Sequence, residues 1–249
     1  MSNTKKITKK LLLFLLFSFH YIYASQKFTK PEGFTLRLPS EWIEIPEQIL
    51  NEHIKQSETL LQKEKSSGFD YGFQLSPKEY WLQPPYILID VDNSLGRVSE
   101  SEFKNIPKLN EIFAKGIDDF LKSSNDIIND VNFEMPAYDS ENHIFWFKIT
   151  SEFENAEKIK MISGFVLTQK GILKIFCYTA EEDYNQYVNL FKDIILNVQI
   201  DEQLRYKVAF LDSYPSLQKV DWAKVIAYGI LGALFLLFYP YFKKKKKKL

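Results

Sequence analysis

The sequence predicts an α+β domain with an antiparallel sheet, followed by one C-terminal transmembrane helix. Three observations carry that reading. Apolar strand-like runs near Ile144–Thr150, Lys158–Thr168 and Ile172–Tyr178 follow one another closely, and the last two are joined by a short connection containing Gly171, as a tight hairpin requires. Two other stretches, Ile106–Leu121 and Tyr184–Ile195, place apolar residues three and four apart, the helical period. Finally, an apolar run from Val225 to Phe242 ends in Lys243, Lys244, Lys245, Lys246, Lys247 and Lys248.

From the N-terminus, Lys5, Lys6, Lys9 and Lys10 precede the apolar stretch Leu11–Phe17, which runs on to Ala24 and Ser25. This is the basic, apolar and small-residue order of a secretory signal, residues 1–24, with cleavage expected near Ala24 or Ser25. Ile22 or Tyr23 would occupy the position three before the cut, so an uncleaved N-terminal anchor is the alternative. No cysteine lies near residue 25, which argues against a lipid-anchored N-terminus.

Phe34, Leu36 and Leu38 alternate with Thr35 and Arg37 and predict a half-buried strand over Gly33–Pro39, with Ser40 and Trp42 in the turn that follows. Ile49, Leu50, Ile54, Leu60 and Leu61 predict a surface helix from Pro46 to about Lys65. Tyr71–Leu75 and Tyr86–Val91 read as strands; Pro84 and Pro85 delay the second, because proline cannot donate to a paired ladder. Asn105 and Pro107 suit the start of the next helix. In the closing helix Tyr184, Tyr187, Val188, Phe191, Ile194 and Ile195 form the inward face, and Thr179 with Glu182 reads as its capping box.

The opening Gly33–Trp42 (GFTLRLPSEW), a helix, a later meander and a closing helix bearing Tyr184–Ile195 (YNQYVNLFKDII) together resemble the PsbP-like family, comprising PsbP, Mog-type and DcrB-like proteins. The resemblance covers roughly residues 28–200. It implies an α/β/α sandwich around the antiparallel sheet and a family whose members mostly bind partners. Trp42 carries over as a packing residue, and no functional residue does.

The terminal run, at about 1.5 Å per residue, spans roughly 27 Å against the ~30 Å hydrocarbon core of a bilayer. Lysines flanking a span remain cytoplasmic, so the chain is expected in the cytoplasmic (inner) membrane as a single-pass protein with its large domain outside. The expected organisation is a signal (1–24), an exported domain (25–200), a juxtamembrane connector (201–221), a transmembrane helix (222–242) and a basic tail (243–249). In the connector Phe210, Leu211, Tyr214 and Leu217 are candidate contacts to the domain or membrane surface. Trp222 and Lys243–Lys248 are the expected lipid contacts, and Gly229 with Ala233 has the small-xxx-small spacing that lets two helices approach as a homodimer. In a eukaryotic source Lys246 and Lys247 would resemble an endoplasmic-reticulum retrieval signal.

The whole chain balances 32 basic against 32 acidic side chains. Removing residues 1–24, with four basic, and 221–249, with seven basic and one acidic, leaves 21 basic and 31 acidic, a net charge of −10 on the exported part. An acidic surface repels phosphate backbones, so nucleic acid is excluded as the expected partner; the bilayer and another envelope protein take its place.

Chemistry-bearing patterns are sparse. Cys177 is the one cysteine and falls in a strand-like run, so no internal disulfide can form. His53 and His143 remain after signal removal, read as a residue on the polar side of a helix and a solvated turn residue, and neither sits in a zinc or triad spacing. Asp90-Val-Asp92-Asn93-Ser94 lacks the calcium-loop glycine, with Leu95 in its place and Ser101 where glutamate belongs, and reads as a turn. Gly68–Gly72 reads as a loop without a phosphate-binding frame. Tyr80, Trp81 and Tyr86 form the candidate ligand or partner contact, since amphipathic rings suit recognition surfaces. The expected function is a non-catalytic binding or accessory (scaffold) protein of an envelope complex, with no metal or cofactor. A ligand-binding sensor using the aromatic loop and a carboxylate-based hydrolase are the alternatives; the hydrolase requires two acidic residues facing one pocket.

Overall fold

The computed structural model describes residues 25–61, 68–76, 80–94, 96–100, 111, 128–153 and 158–209. The fold is α+β, with two sheets whose described strand pairs are all antiparallel. In the smaller sheet β1 (Ser25–Lys30) pairs with β2 (Phe34–Pro39), and β10 (Gln199–Ile200) lies on the other side of β2. Gly33 makes the β1–β2 turn at φ +83°, a conformation that glycine adopts without strain.

The larger sheet contains β3 (Trp42–Glu44), β4 (Tyr71–Leu75), β5 (Tyr86–Asp92), β6 (Ile128–Asp139), β7 (Ile144–Phe153), β8 (Ile159–Leu167) and β9 (Ile172–Ala180), in the order β3-β4-β5-β9-β8-β7-β6. Strands β7 to β9 form the expected meander, and β6 extends it by one strand. The β8–β9 turn is closed by Thr168, whose Oγ1 accepts the N–H groups of Lys170 and Gly171.

One face of this sheet supports the main core. Ile87, Ile89, Leu173, Ile175, Cys177, Ile162 and Val166 meet Phe34, Leu36 and Leu38 of the small sheet and Phe191, Ile194 and Ile195 of α2 (Tyr184–Leu196). Gly164 permits the approach of this helix, because a Cβ there would lie 2.3 Å from Ile195 Cγ2. The other face carries Tyr86, Phe145, Phe147, Phe165, Phe176 and Tyr178, with Phe147 and Phe165 edge-on at 4.8 Å. On that side α1 (Glu47–Leu61) places Leu50 over Gly72 and Leu88.

Several expectations are corrected. Trp42 is not in a turn; it opens β3, fully buried and paired with Leu75. Thr179 does not cap the closing helix, because it lies fully buried in β9 opposite Lys160, and the residue before the helix is Asp183, which makes no side-chain capping bond. The loop expected at Gly68–Gly72 stops short, because Tyr71 and Gly72 already belong to β4, the strand expected over Tyr71–Leu75, and a Cβ at Gly72 would lie 2.9 Å from Ile45 Cδ1 and 3.0 Å from Leu50 Cδ2. His53 is 1% exposed and faces the interior. β1 and β6 join the expected strands. The folded body also continues past Ile200, since Leu204 and Tyr206 are buried.

No helix among the described residues is long and apolar enough to cross a membrane. The expected signal, the helix through Ile106–Leu121 apart from Glu111, and the span at 222–242 with its lysine tail lie outside the described residues.

Candidate functional site

Two polar clusters stand out, both near the end of the large sheet where β5 stops and β9 begins. In the first, register puts Asp90 of β5 directly opposite Lys174 of β9. Lys174 Nζ is 2.9 Å from Asp90 Oδ2 and 2.9 Å from Asp92 Oδ2, and the lysine is 2% exposed. Period-two alternation sets Asp90, Asp92 and Lys174 on one face, so a single ammonium bridges both carboxylates. Burial disfavours its charge, yet the two carboxylates outweigh that and raise its pKa above the ordinary value. Burial raises Asp90 more than Lys174 lowers it. For Asp92 burial is overcome by the Ser94 hydroxyl and Lys174, and its pKa falls. Asp70, raised chiefly by burial, accepts the Val91 N–H at 2.7 Å.

Asp90 lies in the strand expected over Tyr86–Val91, and what the sequence did not show is that it is buried with a counter-ion 84 positions away. Two acidic groups do face one point, as a carboxylate hydrolase requires, but the point is occupied by a lysine that takes up both.

The second cluster gathers around His143. Tyr138 Oη donates to Glu100 Oε2 at 3.0 Å and lies 3.3 Å from His143 Nδ1, which is itself 3.5 Å from Glu100 Oε2. The His143 ring packs 4.9 Å from that of Tyr206, and the Arg97 guanidinium lies 4.8 Å from the same Tyr206 ring. Burial, then the bond to Glu100, raises the Tyr138 pKa. His143 adopts φ +54°, a left-handed conformation in which histidine is found more often than most residues. It sits in the β6–β7 turn, as expected, but as a half-buried network member and not a solvated residue. Nothing in the local sequence signals this, because its partners come from residue 100, from five positions upstream and from residue 206.

The aromatic candidates separate. Tyr86 is 1% exposed and stacks on Tyr178 with ring centroids 4.6 Å apart, whereas Tyr80 is 40% exposed and Trp81 half-buried. Between them Leu82 is buried at φ +61°, its N–H held by Gln74 Oε1 at 2.6 Å. A cleft of about 20 Å³ lies where Gly33, Phe34, Val91, Thr168, Ile200 and Leu204 meet, space for about one water. Among the described residues no group of three or more His, Cys, Asp or Glu is arranged to hold a metal ion. Trp222, Lys243–Lys248, Gly229 and Ala233 lie outside the described residues.

No protein-family model and no curated protein matches the sequence. In structure the chain is similar to the cyanobacterial PsbP protein CyanoP of Synechocystis sp. PCC 6803, at 10% identity over 72% of this chain and 94% of that one, with a TM-score of 0.36. It is also similar to LpqN of Mycobacterium tuberculosis, which is involved in cell envelope biogenesis, at 11% identity over 71% of this chain and 90% of that one, with a TM-score of 0.36.

Proposed function

We propose that the chain is a membrane-anchored, extracytoplasmic binding or accessory subunit of a cell-envelope complex and that it is not a catalyst. The observation that carries the reading is the apolar run Val225–Phe242 closed by Lys243–Lys248, a span with a cytoplasmic stop placed after a folded domain. The domain fits a supporting role in that its best-placed carboxylates neutralise Lys174. We further propose that the body is a PsbP-like α/β/α sandwich, supported by the contact between its two resemblance-bearing segments at Trp42 and Phe191.

The test is a pull-down of full-length protein from native membranes beside a variant lacking Val225–Leu249. Co-purification of one stoichiometric membrane complex with the anchored form alone supports the proposal. A partner-free monomer that turns over a small substrate overturns it.

A further inference from the structure

Beyond Ile200 the chain does not leave the fold at once. On one side the β8–β9 turn holds it: Gln169 donates its N–H to the Leu204 carbonyl at 2.9 Å, and Arg205 bridges Thr168. On the other side Arg97 donates to the Lys207 carbonyl at 2.8 Å, and Tyr206 Oη accepts the Glu100 N–H at 3.0 Å. Tyr206 is 6% exposed, while the next apolar residue, Val208, is 58% exposed. The docked stretch therefore runs at least to Lys207.

All these partners lie at one end of the large sheet. Register sets Asp92 opposite Ile172 and Ile144 opposite Val166, which brings the segment after β5, the β6–β7 turn with His143 and the β8–β9 turn to the same end. Tyr80 and the start of α2 belong to the other end, roughly 20 Å away along β5 at about 3.3 Å per residue.

We infer that Leu204–Lys207 is a docked root that fixes how the domain stands on its anchor. The end bearing Arg97 and Thr168–Gly171 faces the bilayer, and the end bearing Tyr80 faces away from it, toward an extracytoplasmic partner. This rests on the anchored reading proposed above. The exposed cations Lys170, Arg205 and Lys207 are interspersed with Asp201 and Glu202, and Arg205 pairs with Glu202 at 3.0 Å. The position of the exit, and not attraction to anionic lipid, therefore sets the orientation.

The experiment uses full-length protein in phosphatidylcholine–phosphatidylglycerol vesicles, with a fluorophore on Lys170→Cys or Glu182→Cys and a quencher at headgroup level. Cys177 is fully buried and stays unlabelled in the folded protein. Quenching at position 170 should exceed that at 182 several-fold, and equal quenching overturns the inference. On the same vesicles trypsin should cut after Arg205 and Lys207 slowly, and about tenfold faster in Arg97→Gln, which loses a charge-assisted bond. Tyr206→Phe, which keeps the ring and loses the acceptor, should show a smaller increase. Wild-type cleavage as fast as in both variants removes the docked root. Failure to float with the vesicles despite slow cleavage leaves the root docked and sinks the anchor, and the orientation with it.

Discussion

Trp42 meets Phe191 edge-on, with ring centroids 6.2 Å apart and planes at 80°. Both are fully buried, and the contact joins an edge strand to the closing helix across 149 positions of chain. Trp42→Ala and Phe191→Ala should each cost about 3–5 kcal/mol, as large aromatic truncations in a core do. A double-mutant cycle in urea should return a coupling of about 0.5–1.5 kcal/mol, and additive losses would mean that the rings pack independently.

The Lys174 cluster gives the stability a pH signature. The folded pKa of Lys174 is raised above 10.5, so its contribution is present below that value and is lost as the pH rises through the folded pKa. That of Asp92 is lowered below 3.8, so its contribution is present above that value and is lost as the pH falls through the folded pKa. Urea midpoints should decline at the alkaline extreme, while at the acid extreme Asp90, whose folded pKa is raised by burial, works against Asp92. Asp92→Asn should flatten the acid limb, and an unchanged limb would contradict the assignment.

Removing the ammonium alone strands Asp90 in the interior. Lys174→Met should cost about 3–5 kcal/mol, the usual loss when one partner of a buried ion pair is deleted. Combining it with Asp90→Leu and Asp92→Asn should recover much of that loss. A Lys174→Met protein of wild-type stability would show that the bridge does not hold β5 to β9.

Glycines mark the tightest approaches, and their substitutions should rank by what stands in the way. A Cβ at Gly171 would lie 1.9 Å from the Asp92 carbonyl oxygen, a backbone atom that cannot step aside. At Gly164 the obstacle is the Ile195 side chain. Gly164→Ala should cost about 1–3 kcal/mol by overpacking, with Gly171→Ala the more damaging of the two. Thermal unfolding of both variants checks the order.

Cys177 reports on opening of the core. Burial raises its thiol pKa well above the ordinary value, and thiolate is the reactive form. A thiol reagent should label it at the rate of unfolding, and rapid labelling of native protein would place Cys177 outside the core.

The parts of the fold that were legible in the sequence are those whose partners are close in the chain. β2 alternates cleanly, the β8–β9 hairpin carries its own turn, and Phe191, Ile194 and Ile195 keep helical spacing. β1 was not legible because Ser25–Lys30 is a largely exposed edge strand held by backbone pairing to β2, with little apolar pattern. β6 is interrupted by register shifts and contains Pro136, both natural at a sheet edge and both disguises for a strand. Lys174 is the one charge in the apolar run Ile172–Tyr178, and its two carboxylates lie more than 80 residues earlier, out of reach of any local pattern. The His143 network is assembled from three separate segments, which no local spacing announces.

The central claim is the topology, and protease accessibility in intact spheroplasts expressing the full-length chain with a C-terminal epitope tests it most directly. The account predicts that external protease degrades the domain and leaves a small membrane-embedded fragment carrying the epitope. Loss of the epitope with an intact domain would contradict it.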